Sequence, residues 1–350
     1  MLTSPAVAPA REVTRTPDRA RRRTLVLLGL VAALGGTILA SLALGVRDID
    51  PAVVWDALTG WATGMPLPDD QDHRVVVEQR LPRTVVGITA GAALALAGTL
   101  VQGVTRNPIA DPGLLGLNAG ASLAIVLSSV VLGVSSPLGF IWFAFAGAAG
   151  AALLVFSIGA GRPVRLALVG ATVTALLTPL ITITLIQSST AFNLYRTWAV
   201  GSLAGVRSAA LADLWPFLVV GAVLAAAMAH RMNMLALGDD VATALGQRVG
   251  TTRVVSGVAI VMLSGTATAL VGPIALIGLA VPHAARRLVG TDYRWITAVA
   301  FLLGPVVLLV ADVTGRVVLP HSELEAGVVA AAIGAPVLIA VARSRSLAGV

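Results

Sequence analysis

The chain has 350 residues, 57% of them hydrophobic and 12% charged, with a formal net charge of +7. A soluble globular domain carries roughly 45–50% apolar and about 25% charged residues, so a soluble enzyme or nucleic-acid-binding module is excluded. Cysteine is absent, which rules out disulfides and thiolate metal sites. All 24 basic residues are arginine, so the chain lacks the lysine that a nucleotide-binding P-loop requires.

The first stretch, residues 1–23, ends in "RTPDRARRR" and reads as a disordered, Arg-rich cytoplasmic tail. Apolar runs follow at 24–46, 84–104, 114–133, 138–159, 166–187, 211–230, 254–285, 295–315 and 324–342. Most are long enough to cross a hydrocarbon core of roughly 30 Å. The run 254–285 would form a helix of ~48 Å, too long for one crossing, and Gly272-Pro273 interrupts it near its middle. It is read as two crossings. The expected fold is therefore all-α: a polytopic membrane protein with ten transmembrane helices and both termini cytoplasmic. In that arrangement 17 of the 24 arginines lie inside; counting 254–285 as one crossing would move Arg286, Arg287, Arg294, Arg343 and Arg345 to the other side, against the positive-inside rule.

The acidic residues distribute the other way. Asp48, Asp50, Asp56, Asp69, Asp70, Asp72 and Glu78 crowd the first external loop, and only Asp312 reads as membrane-embedded, well inside an apolar run and away from its ends. Arg316 follows it at i+4, so the two can neutralise each other. An ion-coupled carrier needs unpaired acids near the midplane, and this pattern disfavours one. "RTVVGITAG" at Arg83 and "RVVSGVAIV" at Arg253 open spans from opposite sides, a short hint of an inverted repeat.

"RNPIADPGLLGLNAGA" joins the second and third spans on the cytoplasmic side. Pro108 and Pro112 interrupt helix there, Asn107 and Asp111 are suited to cap the freed backbone groups, and Gly113, Gly116 and Gly120 permit close helix approach. "NMLALGDDVATALGQRVG", residues 233–250, follows the sixth span. Asp239 or Asp240 would N-cap a short helix that Gly246 ends in the left-handed conformation, with Leu237, Val241 and Leu245 forming an apolar stripe. The stripe suits either the chain's own helices or a partner. In the fifth span, Thr172, Thr174, Thr178, Thr182 and Gln187 are candidates to line a path, and Pro179 to kink it; each Thr could instead bond back to its own helix. The four histidines, His73, His230, His283 and His321, have no metal-ligand spacing, and no metal site is expected. Nor does any cluster of His, Asp or Ser suggest a membrane enzyme.

The run "RLPRTVVGITAGAALALAGTLVQGVTRNPIADPGLLGLNAGA" closely resembles the signature of the FecCD/BtuC-like permeases, the membrane subunits of ABC importers for iron–siderophores, haem and vitamin B12. "NMLALGDDVATALG", "GPIALIGLAVPHAARRLVGTDYR" and "ADVTGRVVLPHSELEAGVVAAAIGAPV" follow in the family's order. The resemblance implies a BtuC-like Type II importer fold over 24–345, in the plasma membrane of a bacterium. It implies a second permease subunit (identical or different), an extracytoplasmic binding protein and two cytoplasmic ATPases that carry the ATP and Mg; no cofactor is expected on this chain. The cargo it implies is a ferric siderophore, with vitamin B12 or haem as the alternative. It also implies that Leu237, Gly238, Asp239, Asp240, Val241, Ala244, Leu245 and Gly246 couple to an ATPase. Arg80, Arg83 and Arg316 would then dock glutamates of the binding protein, the other reading being local pairing with Glu78, Asp312 or Glu323. The chain departs from the family pattern at Glu325, where a proline is common, and at Val337-Leu338, where a Phe often follows "GAP".

Overall fold

The computed structural model describes residues 17–343, apart from 66–67, 69, 135–136, 160–162, 206–207 and 320–321. Among these the structure is helical throughout, without strands. In chain order the helices are α1 (Pro17–Ala43), α2 (Pro51–Thr63), α3 (Gln71–Arg74), α4 (Leu81–Thr105), α5 (Leu117–Leu132), α6 (Pro137–Gly159), α7 (Pro163–Gln187) and α8 (Ser189–Ala199). Then come α9 (Ser208–Leu235), α10 (Asp239–Ala244), α11 (Val249–Ile260), α12 (Thr266–Val271), α13 (Ile277–Val289), α14 (Tyr293–Val317) and α15 (Ala326–Arg343). Single π-turns, Val75–Arg80 and Val261–Gly265, join α3 to α4 and α11 to α12 without a break. Seven of the resulting helices are long and apolar enough to cross a membrane, and α5 and α15 contribute shorter apolar segments.

α4 is the central pillar. Every residue from Ala90 to Val104 is buried, so this helix meets protein on all sides. Its small side chains make that enclosure feasible: a Cβ on Gly91 would lie 2.7 Å from the Gly304 carbonyl of α14, and one on Gly98 only 1.9 Å from the Gly278 carbonyl of α13. Such close backbone approach is how helices gain packing energy where no hydrophobic effect drives them together.

The long apolar run 254–285 does break at Gly272-Pro273. Gly272 leaves the helix at φ 76°, ψ −179°, a conformation open to glycine, and α13 restarts five residues later. The tail requires a correction. Residues 1–16 lie outside the described residues, but 17–23 form the first two turns of α1. Arginine is a good helix former, Pro17 suits the first helical position, and the side chains find acceptors on another helix. Arg22 Nη2 donates to the Arg287 carbonyl at 3.2 Å, Arg23 donates to that of Val289 at 3.3 Å, and the Arg23 guanidinium lies 5.0 Å over the Trp295 ring.

The short helices α2, α3 and α8 lie outside the apolar runs and carry side-chain caps. Asp50 accepts from Ala52 N at 2.8 Å, Asp70 from His73 N at 2.9 Å, and Ser188 from Ala191 N at 3.2 Å.

Candidate functional site

At one end of the bundle, the α4–α5 turn is built as a rigid plug. Arg106 ends α4 in the left-handed conformation, Asn107 Oδ1 accepts from Ile109 N at 3.1 Å, and Asp111 Oδ1 accepts from Gly113 N at 2.8 Å. Pro112 opens one 3₁₀ turn, which Gly116 closes at φ 76° before α5 begins. Pro108 stands half-buried between them. One residue overlooked in the sequence fastens this plug to the bundle. Pro282 in α13 has no N–H to offer the Gly278 carbonyl one turn back, and buried Gln102 takes its place, donating to Gly278 O at 3.2 Å. The same amide reaches Leu279 O and Ala110 O, both at 3.3 Å, while its oxygen accepts from Arg286. A lone Gln in "TLVQGV" was the available signal.

The 233–250 segment lies at the same end. α10 spans Asp239–Ala244, but neither aspartate caps it: Gly238, at φ 106°, holds the N-cap position. Asp239 is recruited elsewhere, meeting Arg253 at 3.0 Å and Arg106 at 3.5 Å, which ties the segment to α11 and to the plug. Asp240 faces solvent. Gly246 does end the helix in the left-handed region, at φ 84°. Ala242 is buried beneath, whereas Leu237, Val241 and Leu245 are 62%, 46% and 60% exposed. The apolar stripe is thus not laid against the chain's own helices. Beside it opens a cavity of about 470 Å³ lined by Arg231, Met234, Leu245, Gly246, Gln247, Arg248 and Thr251.

On α7, each threonine hydroxyl donates to the carbonyl one turn back: Thr172 to Leu168, Thr174 to Gly170, Thr178 to Thr174 and Thr182 to Thr178, at 2.8–3.0 Å. Their donors are spent, and their oxygens remain as acceptors. Thr172, Thr178, Thr182 and Gln187 are exposed on this single chain, and Thr174 is half-buried.

At the opposite end, two arginines converge on Asp312, which is fully buried, and a third lies beside them. Arg83 Nη2 meets it at 2.8 Å and Arg316 Nη2 at 3.0 Å, while Arg83 Nη1 reaches Glu323 at 2.8 Å. The remaining donors cap the end of α1. Arg316 donates to Ser41 O at 2.9 Å and Leu44 O at 3.1 Å, and Arg80 to Leu42 O at 2.7 Å and to Arg47 O. Cations suit the carbonyl-rich end of a helix. Arg80 and Arg316 are 6% and 3% exposed, so neither offers a free face to a protein arriving from outside. Both are held by local acceptors, because a guanidinium drawn into the bundle must satisfy its donors there. Glu78 takes no part in an ion pair among the described residues; Arg83, through Glu323, keeps a connection to the surface.

Nearby, His73 ties the outer helices together. It is 5% exposed, and its Nδ1 lies 2.9 Å from Asp70 and its Nε2 3.1 Å from Asp56 of α2. The hydrogen bond with Asp70 raises the His73 pKa above its ordinary 6.5 against the lowering effect of burial, and Asp56 adds to the rise. His73 donation in turn lowers the Asp70 carboxyl. A raised histidine pKa contributes stability that is complete below the unfolded value of 6.5 and lost as pH climbs through the folded value. Amide exchange of α2 residues 51–63 is therefore expected to accelerate as pH rises from about 6 to 8, beyond the intrinsic base-catalysed increase. A His73→Gln variant should lose that extra dependence; a wild type that follows the intrinsic rate alone would refute the tether.

The described residues contain no group of three His, Asp or Glu able to hold a metal. Fold and surfaces together define a multi-spanning membrane protein: a small-residue helix pillar, a reinforced plug at one end, an exposed stripe next to it, and a charged clamp at the other end. The chain belongs to the FecCD transport family, whose model matches residues 31–344. It is 44% identical over 334 residues to the ferric enterobactin transport system permease protein FepD of Escherichia coli K12, covering 93% of this chain and 97% of that protein. It is 35% identical to the probable siderophore transport system permease protein YfiZ of Bacillus subtilis, with the same coverage. It is 34% identical to the iron(3+)-hydroxamate import system permease protein FhuB of B. subtilis, covering 91% of this chain and 83% of that one. A solved metal-chelate type ABC transporter in an inward-facing conformation superposes with a TM-score of 0.80 at 25% identity, covering 91% of this chain and 99% of that one. The chain is accordingly a permease subunit, and ATP hydrolysis belongs to separate subunits.

Proposed function

We propose that the protein is the permease subunit of a binding-protein-dependent importer that moves a ferric siderophore inward across a bacterial plasma membrane. Family membership along almost the whole chain, with relatives named for ferric enterobactin and iron–hydroxamate, carries this reading. The chain crosses the membrane ten times, with α1, α4, α5, α6, α7, α9, α11–α12, α13, α14 and α15 as the crossings and both termini inside. The arginine distribution supports this sidedness. Two such subunits, alike or different, enclose a path between them. α7 lines it with Thr172, Thr174, Thr178 and Gln187, whose hydroxyl and amide oxygens offer a neutral, weakly binding surface to a bulky polar chelate. ATP and Mg reside on two cytoplasmic ATPases, and no cofactor is assigned to this chain.

The test is uptake of radio-iron in cells lacking their own permease, supplied with this chain and its neighbouring ATPase and binding protein. Catecholate and hydroxamate siderophores are offered beside labelled cobalamin and haem. Uptake of a siderophore alone supports the proposal; uptake confined to cobalamin or haem overturns the cargo, and no uptake of any overturns the importer reading.

Docking from outside is assigned to Arg83, whose partner Glu323 is 36% exposed at its side chain and could exchange with a carboxylate on the binding protein. Guanidinium suits that exchange because it binds carboxylates bidentately. Arg83→Glu is expected to weaken binding-protein association by about 2 kcal/mol, with a reciprocal Glu→Arg change on the partner restoring part of it. Association measured per folded molecule separates this from simple instability. A variant that unfolds more easily but binds normally once folded would leave Arg83 structural.

A further inference from the structure

The first turns of α1 carry a basic collar, Arg21 to Arg23. An open cavity of about 410 Å³ is lined, among the described residues, by Arg21, Arg22, Leu25 and Val26. Its polarity changes along one helical turn of ~5.4 Å, with two guanidinium groups on one side and two branched apolar side chains on the other. Leu25 and Leu28, 59% and 61% exposed, continue the apolar strip toward the middle of the bundle. Among the residues whose side chains the structure describes (19 onward in this helix), no carboxylate pairs with Arg21 or Arg22. Asp292, in the turn between α13 and α14, is already held by Asn233 at 2.7 Å and Arg294 at 3.4 Å. Arg22 lends its Nη2 to the Arg287 carbonyl at 3.2 Å, and Arg23 is committed to the end of α13 and the Trp295 ring, so that together they pin the collar against the bundle.

We propose that this corner is a binding site for an anionic phospholipid. The lipid phosphate sits between Arg21 and Arg22, and an acyl chain lies along Leu25, Val26 and Leu28. Guanidinium groups pair with phosphate through parallel hydrogen bonds, and juxtamembrane arginines attract acidic lipid. The lipid is favoured over a soluble anion because half of the cavity is apolar and continuous with the surface that faces the hydrocarbon. The site requires only that the chain span a membrane; it stands whatever cargo is carried and whichever side the termini occupy.

Trp295 provides a reporter at the same corner. The full chain is reconstituted in phosphatidylcholine vesicles, and brominated phosphatidylglycerol or brominated phosphatidylcholine is titrated in. The Trp295 signal is isolated as the difference from a Trp295→Phe variant. Brominated phosphatidylglycerol is expected to quench several-fold more than its bulk fraction warrants. Arg21→Gln, which breaks no hydrogen bond or ion pair within the described residues, should lower that preference about fivefold. Arg21→Gln with Arg22→Gln should bring it to parity with phosphatidylcholine. Equal quenching by both lipids in the wild type, or an undiminished preference in the double variant, overturns the site. So does reversal of the preference by millimolar inorganic phosphate, which would mark a free-anion site instead.

Discussion

Asp312→Asn is expected to be the most destabilising conservative change in this protein, at about 3–5 kcal/mol. The carboxylate is fully buried, and it meets Arg83 at 2.8 Å and Arg316 at 3.0 Å. Removing its charge leaves two guanidinium groups with backbone carbonyls, the Ser41 hydroxyl and Glu323 to answer them, and one charge short of balance. Arg316 is 3% exposed and cannot swing to water without dragging the end of α14 with it. Glu323→Gln serves as the comparison: that side chain is 36% exposed and its pair with Arg83 is screened, so about 1 kcal/mol or less is expected. Thermal unfolding of both variants in detergent measures the difference. Equal shifts would mean that the clamp around Asp312 is not what secures α1, α4 and α14 at that end.

The second large effect is on assembly. Leu245→Asp is expected to weaken ATPase association by about 2 kcal/mol or more, roughly thirtyfold, as for loss of an apolar interface anchor. Leu245 is 60% exposed on the free chain, so the folded bundle should lose no more than about 0.5 kcal/mol from the same change. Val241→Asp should behave alike, since it stands one turn away on the same stripe. The readouts are co-purification of the ATPase and its stimulated turnover, alongside the melting temperature of the permease. Normal co-purification with both variants would leave the stripe without a partner. An equal loss of thermal stability would return it to the chain's own packing.

These two sites differed in how openly the sequence displayed them. The stripe was legible because Leu237, Val241 and Leu245 recur at four-residue spacing, and helical periodicity is a local property. Its exposure was not, since the same spacing serves a helix packed on its own bundle. The Asp312–Arg316 pair was legible for the same local reason. The local acceptors of Arg80 were not legible, because the Leu42 and Arg47 carbonyls are backbone atoms 38 and 33 residues away. Arg316 bonds Ser41 O across 275 positions. A backbone carbonyl leaves no mark in an amino-acid sequence, so an arginine that caps a distant helix end looks like an arginine awaiting a partner. Asp239 was misplaced similarly: a cap was expected from its position before α10, but Arg253 and Arg106 offered a stronger claim on the carboxylate than an N–H.

Residue order alone was enough to establish an all-helical membrane protein, a break in its longest apolar run at Gly272-Pro273, and the lack of a P-loop. Each of these follows from run length, backbone restriction or the absence of a residue type, and none depends on which helices touch. It also carried the family likeness, since that lies in ordered motifs. Helix packing was needed to place α4 at the centre, to set Gln102 against the carbonyl that Pro282 leaves without an N–H, and to draw the arginines of residues 21–23 into a helix. Those outcomes depend on neighbours hundreds of positions apart. The free energy of a buried polar group is set by whichever partner the fold brings within about 3 Å, and that partner cannot be read from the residues beside it in the chain.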